Sequence, residues 1–243
     1  MSRNIKVGKD ITFVTDALHV GNVKGPMQEV KRHFKDHFMD DTLSTDRWAT
    51  SVPGTSDTIA ISEVQGGEVL ITTGTVDDDS CMMATAIIFS GTKKAIGESR
   101  ITIDDVSGTA LFVGFSDAKS EANNSIAIHY AADALTTVAT DAAGFVIDAD
   151  HSASKIMCCG VKLDVDATAV DSTKSWADGE TKNLRVELDS TTALFYLDGV
   201  LVGRVTSAVT AATLLCFTIQ AMTRANDGAN TIQVRRVDVW QDE

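Results

Sequence analysis

The stretch LRVELDSTTALFYLDGVLVGRV, residues 184–205, decides the fold class of this chain. Leu184, Val186 and Leu188 alternate with polar residues, so they share one face of a β-strand. The residues DSTT favour a turn, and a second alternating segment follows. An Asp-Gly pair at 198–199 is the strongest short hairpin signal, because both central residues of a type I′ turn need φ > 0. The segment therefore predicts a three-stranded antiparallel meander.

Three carboxylates fall within this meander, at Glu187, Asp189 and Asp198. The alternation directs Glu187 and Asp189 away from the apolar face, and Asp198 occupies the turn. We therefore expect these acids on the exterior of a β-shell and not in an active site.

The rest of the chain from about residue 36 repeats the same kind of pattern. Strand-like segments follow one another at intervals of roughly 8–15 residues, with turn residues between them, which is typical of an all-β sandwich. The run CMMATAIIF, residues 81–89, is apolar throughout and predicts a strand covered on both faces. In the last segment the alternation changes phase at Arg235–Arg236, which predicts a β-bulge.

The charge is distributed unevenly along the chain. The formal net charge is −13, and residues 1–35 carry +4 while the remainder carries −17. An acidic body repels phosphate, so we expect no nucleic-acid partner. The basic segment is either a solvated tail or an arm that docks on an acidic partner such as a neighbouring copy. Its candidate contact residues are Arg3, Lys6, Lys9, Lys24, Lys31 and Arg32.

The residues PMQEVKRHFKDHF, 26–38, allow two interpretations. Met27, Val30 and Phe34 have helical spacing, and Pro26 suits the first position of a helix. Alternatively, HFKDHF forms a strand. We favour a short helix or irregular link, followed by a strand that begins near Phe34.

The four cysteines lie in apolar, strand-like segments, at Cys81, Cys158, Cys159 and Cys216. No CxxC motif is present, so we expect no zinc site, and buried free thiols are typical of a reducing cytoplasm. We identify neither the continuous apolar region of a signal peptide nor an apolar stretch long enough to span a membrane.

Several motifs resemble one superfamily. The 183–205 hairpin, with its Tyr-Leu-Asp-Gly turn, resembles that of laminin-G and concanavalin A-like jelly rolls. The segments DHFMDDTLSTDRW, 36–48, and VRRVDVWQDE, 234–243, resemble the opening and closing strands of the same superfamily. The blocks at 98–118, 142–150 and 159–172 resemble jelly-roll structural proteins of tailed bacteriophages, which decorate or cement the capsid. The resemblance covers about residues 36–243.

Catalysis and metal binding receive little support from the motifs. Retaining glucanases of this superfamily carry a strand pattern E-x-D-x-(x)-E, which this chain resembles only in its first half. Glu187 and Asp189 are followed by Ser and Thr, so the second glutamate is absent. Residues 77–79 and the aspartates of 164–171 match no defined calcium loop, so we interpret both as solvated acidic turns. Trp176 lies in a polar turn, where an exposed aromatic ring would suit a glycan or a protein partner, while Trp48 and Trp240 are expected in the core.

Together these observations predict an antiparallel β-sandwich of the concanavalin A-like jelly-roll type, residues 36–243, preceded by a basic arm and linker, residues 1–35. The resemblance implies a non-enzymatic cement protein, without a cofactor, that binds the outside of a bacteriophage head. The expected partners are the phage major capsid protein and further copies of this chain, most simply a homotrimer. The expected location is the virion surface, after assembly in the bacterial cytoplasm. The alternative is a lectin-like module of a phage tail or fibre.

Overall fold

The computed structural model describes residues 4–7, 11–14, 31–122, 124–152, 155–224 and 228–242, and within these ranges the chain is almost entirely β-structure. The strands are β1 Asn4–Val7, β2 Ile11–Val14, β3 Lys31–Asp36, β4 Ala49–Ser51, β5 Thr58–Ser62, β6 Glu68–Thr72, β7 Ser80–Ala84, β8 Ile96–Ile103, β9 Thr109–Ser116, β10 Ile128–Ala131, β11 Ala134–Thr137, β12 Asp141–Asp148, β13 Lys155–Lys162, β14 Val165–Asp166, β15 Val170–Ser175, β16 Thr181–Asp189, β17 Thr192–Leu197, β18 Val200–Val205, β19 Cys216–Thr223 and β20 Thr231–Asp242.

The helical content is small. A 3₁₀ turn covers Gly91–Lys93 and a single-turn helix, α1, covers Ala149–Ser152. Among the described residues no helix has the length and hydrophobicity needed to cross a membrane.

Two large antiparallel sheets form the body of the molecule. Sheet I has the order β18-β17-β16-β8-β20-β6-β5, with β3 also paired to β20, and sheet II has the order β14-β13-β12-β9-β19-β7-β4, with β15 also paired to β13. The strands β1 and β2 form a separate hairpin, as do β10 and β11. The predicted jelly-roll sandwich is therefore confirmed.

The meander of residues 184–205 has the predicted form. Strand β16 pairs with β17, and β17 pairs with β18 across the Asp-Gly turn. Asp198 has φ 49° and Gly199 has φ 80°, the left-handed conformations that a type I′ turn requires.

Strand β20 contains the predicted bulge. The register shifts between Val234 and Arg236, and Ile232, Val237 and Val239 on either side of the shift are all buried. The bulge therefore returns the apolar side chains to the core after the change of phase.

The second half of β20 also determines the conformation of residues 31–36. Val237 to Asp242 pair with β3 in antiparallel register, so residues 31–36 form a strand. The strand expected from near Phe34 is therefore confirmed, and the favoured short helix or irregular link is wrong for residues 31–33. The apolar spacing fitted both structures, and hydrogen bonding to β20, which is distant in sequence, selects the strand.

A first hydrophobic core fills the space between the two sheets. It contains Trp48, Phe115, Phe145 and Phe195, all buried. Trp48 also donates a hydrogen bond from Nε1 to Oδ2 of Asp36, at 2.9 Å. Trp48 is thus in the core as expected, whereas Trp240 is only half-buried on β20.

A second hydrophobic cluster covers the other face of sheet II. Phe112 and Val146, from β9 and β12, pack there with Ile126, Ile128 and Tyr130. Strands β9, β12 and β19 are consequently buried at every position. The chain between about residues 126 and 139, which contains the β10–β11 hairpin, will be called the covering hairpin.

Arg224 fixes the covering hairpin to sheet II. Its Nε and Nη2 atoms lie 3.0 and 2.9 Å from the two carboxylate oxygens of Asp148, and both side chains are buried. Arg224 also donates to the carbonyl oxygen of Tyr130, and the Tyr130 N–H donates to Asp148 Oδ2 at 2.8 Å. This buried ion pair thus satisfies both backbone groups of a residue in the hairpin.

We expect Arg224→Ala to lower the free energy of unfolding by about 3–5 kcal/mol, because it leaves the Asp148 carboxylate buried and unpaired. Urea denaturation measures this change. The matched control is Lys155→Ala, which removes an ion pair to Asp171 between two exposed side chains and should cost less than about 1 kcal/mol. Equal losses in the two variants would contradict the assigned role of Arg224.

Candidate functional site

The carboxylates of the meander are on the exterior, as predicted. Glu187 lies on the outer face of sheet I and forms an ion pair with Arg185 at 2.5 Å. Asp189 and Asp198 are exposed, and Asp198 Oδ1 accepts a hydrogen bond from the Asn183 N–H at 2.9 Å. These three groups therefore form no pair of facing carboxyls.

The outer face of sheet II offers no open cleft along its central strands. Ala142 and Val146 are apolar β12 residues whose side chains point to this face, and both are buried. Asp148 follows on the same face and is bound by Arg224. A pair of carboxyls on this strand is therefore not available for catalysis.

A cluster of three carboxyls lies instead at one end of sheet II. Asp117 directly follows β9, Asp141 begins the neighbouring β12, and Glu121 lies in the loop after Asp117. The Asp117 N–H donates to the Asp141 carbonyl at 3.0 Å, and the Glu121 N–H contacts Met82 Sδ at 3.0 Å. We call Asp117, Glu121 and Asp141 the carboxyl cluster.

The three groups have different surroundings. Asp141 is 2% exposed, and its Oδ1 accepts a hydrogen bond from the Thr210 N–H at 2.5 Å. Asp117 and Glu121 are half-buried, and the buried atoms Asp117 Oδ1 and Glu121 Oε1 accept no hydrogen bond. Asp117 and Glu121 thus each keep one buried carboxyl oxygen without a hydrogen-bond partner.

Burial and mutual repulsion raise the pKa values of these groups. Burial raises the pKa of Glu121 to about 7, with a further contribution from the charge of Asp117. Burial also raises the pKa of Asp117, and hydrogen bonds from nearby backbone N–H groups oppose this effect. A carboxyl that keeps its proton near neutral pH beside a second carboxyl can act as a general acid.

Sequence reasoning missed this cluster. Asp117 and Glu121 stand in the loop sequence FSDAKSEANN, and Asp141 is separated from them by about twenty residues. They match no motif. The one available signal was the position of Asp117 shortly after the apolar run of residues 110–115 in β9.

A second polar feature is a groove of about 560 Å³ on the outer face of sheet I. Arg100, Arg235 and Arg236 line it together with Asn183 and Gln233. Two of these arginines are paired, Arg235 with Glu68 at 3.2 Å and Arg236 with Asp238 at 2.9 Å. The groove is separate from the carboxyl cluster, because the two lie on different sheets.

Trp176, expected to be an exposed contact residue, is buried. Its ring is 1% exposed and belongs to the core between the sheets, and its Nε1 donates to the Glu180 carbonyl at 2.8 Å. The turn between β15 and β16 bends back over the sandwich edge and supplies this acceptor. The predicted exposure of Trp176 is therefore wrong.

The basic candidate residues are placed only in part. Arg3, Lys9 and Lys24 lie outside the described residues, and Lys6 belongs to β1. Lys31 and Arg32 begin β3, and Arg32 is exposed. Their role as contacts, the boundary at residue 35, the homotrimer and the capsid partner stay predictions.

The two acidic segments, residues 77–79 and 164–171, differ in their exposure to solvent. Asp164, Asp166 and Asp171 are exposed, as expected, whereas Asp79 is only 4% exposed, so the solvated-turn interpretation is wrong for it.

In the part of the chain that the structure describes, no three His, Cys, Asp or Glu side chains are grouped to hold a metal ion. All four cysteines are buried and free, which confirms their predicted environment.

Comparison with known proteins identifies similar folds among solved structures. No family model and no curated protein matches the chain. Among solved structures it is similar to a prokaryotic β-1,3-1,4-glucanase (lichenase) derived from a mouse hindgut metagenome, with 10% identity, a TM-score of 0.59, and coverage of 87% of this chain and 99% of that one. It is equally similar to a glycoside hydrolase family 16 endo-glucanase from Bacteroides ovatus, with 11% identity, a TM-score of 0.58, and coverage of 85% and 99%.

A third similar structure is described as a sialidase, with 13% identity and a TM-score of 0.58. The match covers 85% of this chain but only 18% of the sialidase, so this chain corresponds to a small part of that protein. At these identities the likeness shows the fold, which is the concanavalin A-like jelly roll of glycoside hydrolase family 16 proteins.

These matches contradict the predicted function. The expected phage cement protein and its non-enzymatic character conflict with neighbours that are glucanases, and nothing in the matches indicates a phage origin. The Asp-Gly hairpin and the opening Trp48 are needed by the sandwich itself, so they could not separate a structural protein from an enzyme.

We expect the protonated Glu121 to make stability depend on pH. Its folded-state pKa of about 7 exceeds the ordinary value of 4.5, so its contribution is complete below about pH 4.5 and is lost as the pH rises through 7. Thermal melts between pH 5 and 8 should show a steeper fall of Tm in the wild type than in Glu121→Gln. Glu63→Gln, which changes an exposed loop residue, should keep the wild-type slope. Identical slopes in all three proteins would show that Glu121 is ionised throughout this range.

Proposed function

We propose that this chain is a carbohydrate-active protein that hydrolyses glycosidic bonds at the carboxyl cluster, with Glu121 as the proton donor and Asp117 as the second carboxyl. The observation that supports this proposal most strongly is the half-buried Glu121, which has a pKa of about 7 and lies beside the charge of Asp117. The fold likeness to glucanases supports the same class of reaction.

The proposed chemistry divides the two roles by environment. Glycoside hydrolysis needs one carboxylic acid that protonates the leaving oxygen and one carboxylate that either attacks the anomeric carbon or activates water. Burial keeps the proton on Glu121. Burial also raises the pKa of Asp117, and hydrogen bonds from backbone N–H groups oppose this larger effect. We assign Asp117 the second role because it is the other carboxyl beside Glu121.

Asp141 acts in this proposal as a positioning residue. It is fully buried, holds the Thr210 N–H through its carboxylate, and accepts the Asp117 N–H at its carbonyl. Its charge also contributes to the raised pKa of Asp117. Asp141 thereby fixes the end of β9, from which the loop that carries Glu121 departs.

A second candidate function is recognition of acidic carbohydrate in the groove on sheet I. Three arginines and three residues with amide side chains line it, and guanidinium groups bind carboxylate or sulfate groups through paired hydrogen bonds. Arg100 is exposed on β8, so it is the residue of this groove that we expect to contribute most.

The test is release of reducing sugar from a panel of β-glucans and mucin-type O-glycans. We expect Glu121→Gln and Asp117→Asn each to lower the rate by roughly 10²–10⁴-fold, because each removes one of the two carboxyls. The wild-type rate should fall above about pH 7, as Glu121 loses its proton. Glu63→Gln is the control that should keep full activity.

Two outcomes would contradict the assignment. Release that persists in both Glu121→Gln and Asp117→Asn would place catalysis elsewhere, and absence of release from every glycan would remove hydrolysis. Binding of acidic glycans that weakens in Arg100→Ala, without release of sugar, would support recognition in the groove instead.

A further inference from the structure

Two arginines face each other across neighbouring strands of sheet I. Arg100 on β8 lies directly opposite Arg236 on β20, and like charges in this position repel one another. Arg236 is neutralised by ion pairs with Glu98 and Asp238. The Arg100 side chain is exposed and, among the residues that the structure describes, forms neither an ion pair nor a hydrogen bond. The groove on sheet I therefore keeps one guanidinium group available to a ligand.

The charge of the groove is opposite to that of the protein as a whole. The chain has a formal net charge of −13. The charged or titratable residues that line the groove are nevertheless one acid, Glu68, and four basic side chains, Arg100, Arg235, Arg236 and His37. Cations gathered in a concave site attract anions, while the acidic remainder of the surface repels them. The groove thus favours an anionic group that enters it.

The outer face of sheet I continues from the groove towards the other end of the same strands. Every second residue of a strand points to this face. Two rows of side chains therefore follow the groove, first Glu98, Arg185, Tyr196 and Asp238, and then Ile96, Glu187, Leu194 and Trp240. Four residues separate Arg236 from Trp240, which corresponds to about 13 Å along a strand.

The row next to the groove is polar, and its arginine is paired. Arg185 forms an ion pair with Glu187 at 2.5 Å and lies over the ring of Tyr196, 4.4 Å from its centroid. Glu98 is paired with Arg236. This row supplies hydrogen-bonding groups without a further unpaired cation, so the positive charge is concentrated at the groove.

The second row is mostly apolar. Trp240 is half-buried, and its ring meets that of His33 edge-on, with 6.2 Å between the centroids. Ile96 and Leu194 are also half-buried, and none of the three apolar residues belongs to the core between the sheets. An indole ring beside aliphatic side chains offers an apolar body with one polar N–H, which suits contact with the apolar face of a sugar ring.

We propose that the outer face of sheet I binds an extended acidic polysaccharide, with an anionic group of the chain at Arg100 and a sugar ring at Trp240. The two contacts are about 13 Å apart, so a small anion reaches one of them and only a chain of several sugars reaches both. Carboxylate and sulfate groups accept the same paired hydrogen bonds from a guanidinium group, so uronic acids and sulfated sugars both fit.

This inference rests on the second candidate function and extends it from the groove to the whole face. It does not depend on hydrolysis, because the carboxyl cluster lies at the end of the other sheet. A polymer bound to sheet I leaves that cluster free.

The experiment measures binding to the full chain carrying Glu121→Gln, so that cleavage at the carboxyl cluster does not shorten the ligand. Calorimetric titrations use polygalacturonate as the carboxylate polymer and dextran sulfate as the sulfate polymer. We expect saturable binding of at least one of them, which weakens as NaCl is raised from about 20 to about 200 mM. A neutral β-glucan should bind more weakly, because it offers no anionic group to Arg100.

Substitutions at the two contacts separate their contributions. Arg100→Ala should weaken binding about tenfold or more, because it removes a charge-assisted hydrogen-bond donor. Trp240→Ala should weaken it roughly threefold to tenfold, and Trp240→Leu, which keeps an apolar side chain, provides the same test if the alanine variant fails to fold. The matched control is Arg204→Ala, an exposed arginine that lines a different cavity, and this variant should bind as tightly as its parent.

Four results would overturn the proposal. These are no binding of either acidic polymer, unchanged affinity in Arg100→Ala, unchanged affinity in both Trp240 variants, and equal binding of poly-L-glutamate. The third result would confine the ligand to the groove, and the fourth would show that charge alone is recognised. Every readout is binding, so a failure here leaves the proposed hydrolysis to be judged by sugar release alone.

Discussion

Burial of sheet II on both faces is the constraint on which the rest of this structure depends. Strands β9, β12 and β19 have no exposed position, so each must be apolar or internally hydrogen-bonded along its whole length. The second face is closed by the covering hairpin, whose small size makes an anchor necessary. Arg224 and Asp148 provide that anchor, and their ion pair is tolerable inside the protein because several hydrogen bonds satisfy it.

The same constraint determines where polar chemistry can occur. With both faces of the central strands closed, carboxyl groups without a positive partner collect where strands end and loops begin. Asp117 and Glu121 follow the end of β9 next to Cys216, whereas Asp57 and Asp79 meet near Thr223 at the other end of β19. The carboxyl cluster and this second pair of aspartates thus occupy opposite ends of one sheet. The arginine groove, in contrast, uses the open face of sheet I.

Local patterns predicted local structure well, and failures arose where distant segments compete. The Asp-Gly hairpin and the bulge at Arg235–Arg236 depend on neighbouring residues, and both are present. The apolar spacing around residues 31–36 fitted a helix or a strand, and pairing with β20 selects the strand. Trp176 stands in a polar sequence, yet its turn folds onto the core. The predicted phage role failed for a different reason, since features that stabilise a jelly roll are independent of what the jelly roll does.

The sequence by itself determined the architecture: alternating apolar residues, turn residues and a phase change require two packed antiparallel sheets. Only the tertiary structure decided which acidic residues are candidates for a functional site. Glu187 and Asp189 are conspicuous in the sequence but point to solvent, while Asp117, Glu121, Asp57 and Asp79 stand in ordinary loops. The physical reason is that burial and the distance between charges set the pKa of a carboxyl group. Both quantities depend on contacts between residues far apart in the chain, which alternation along a strand does not encode.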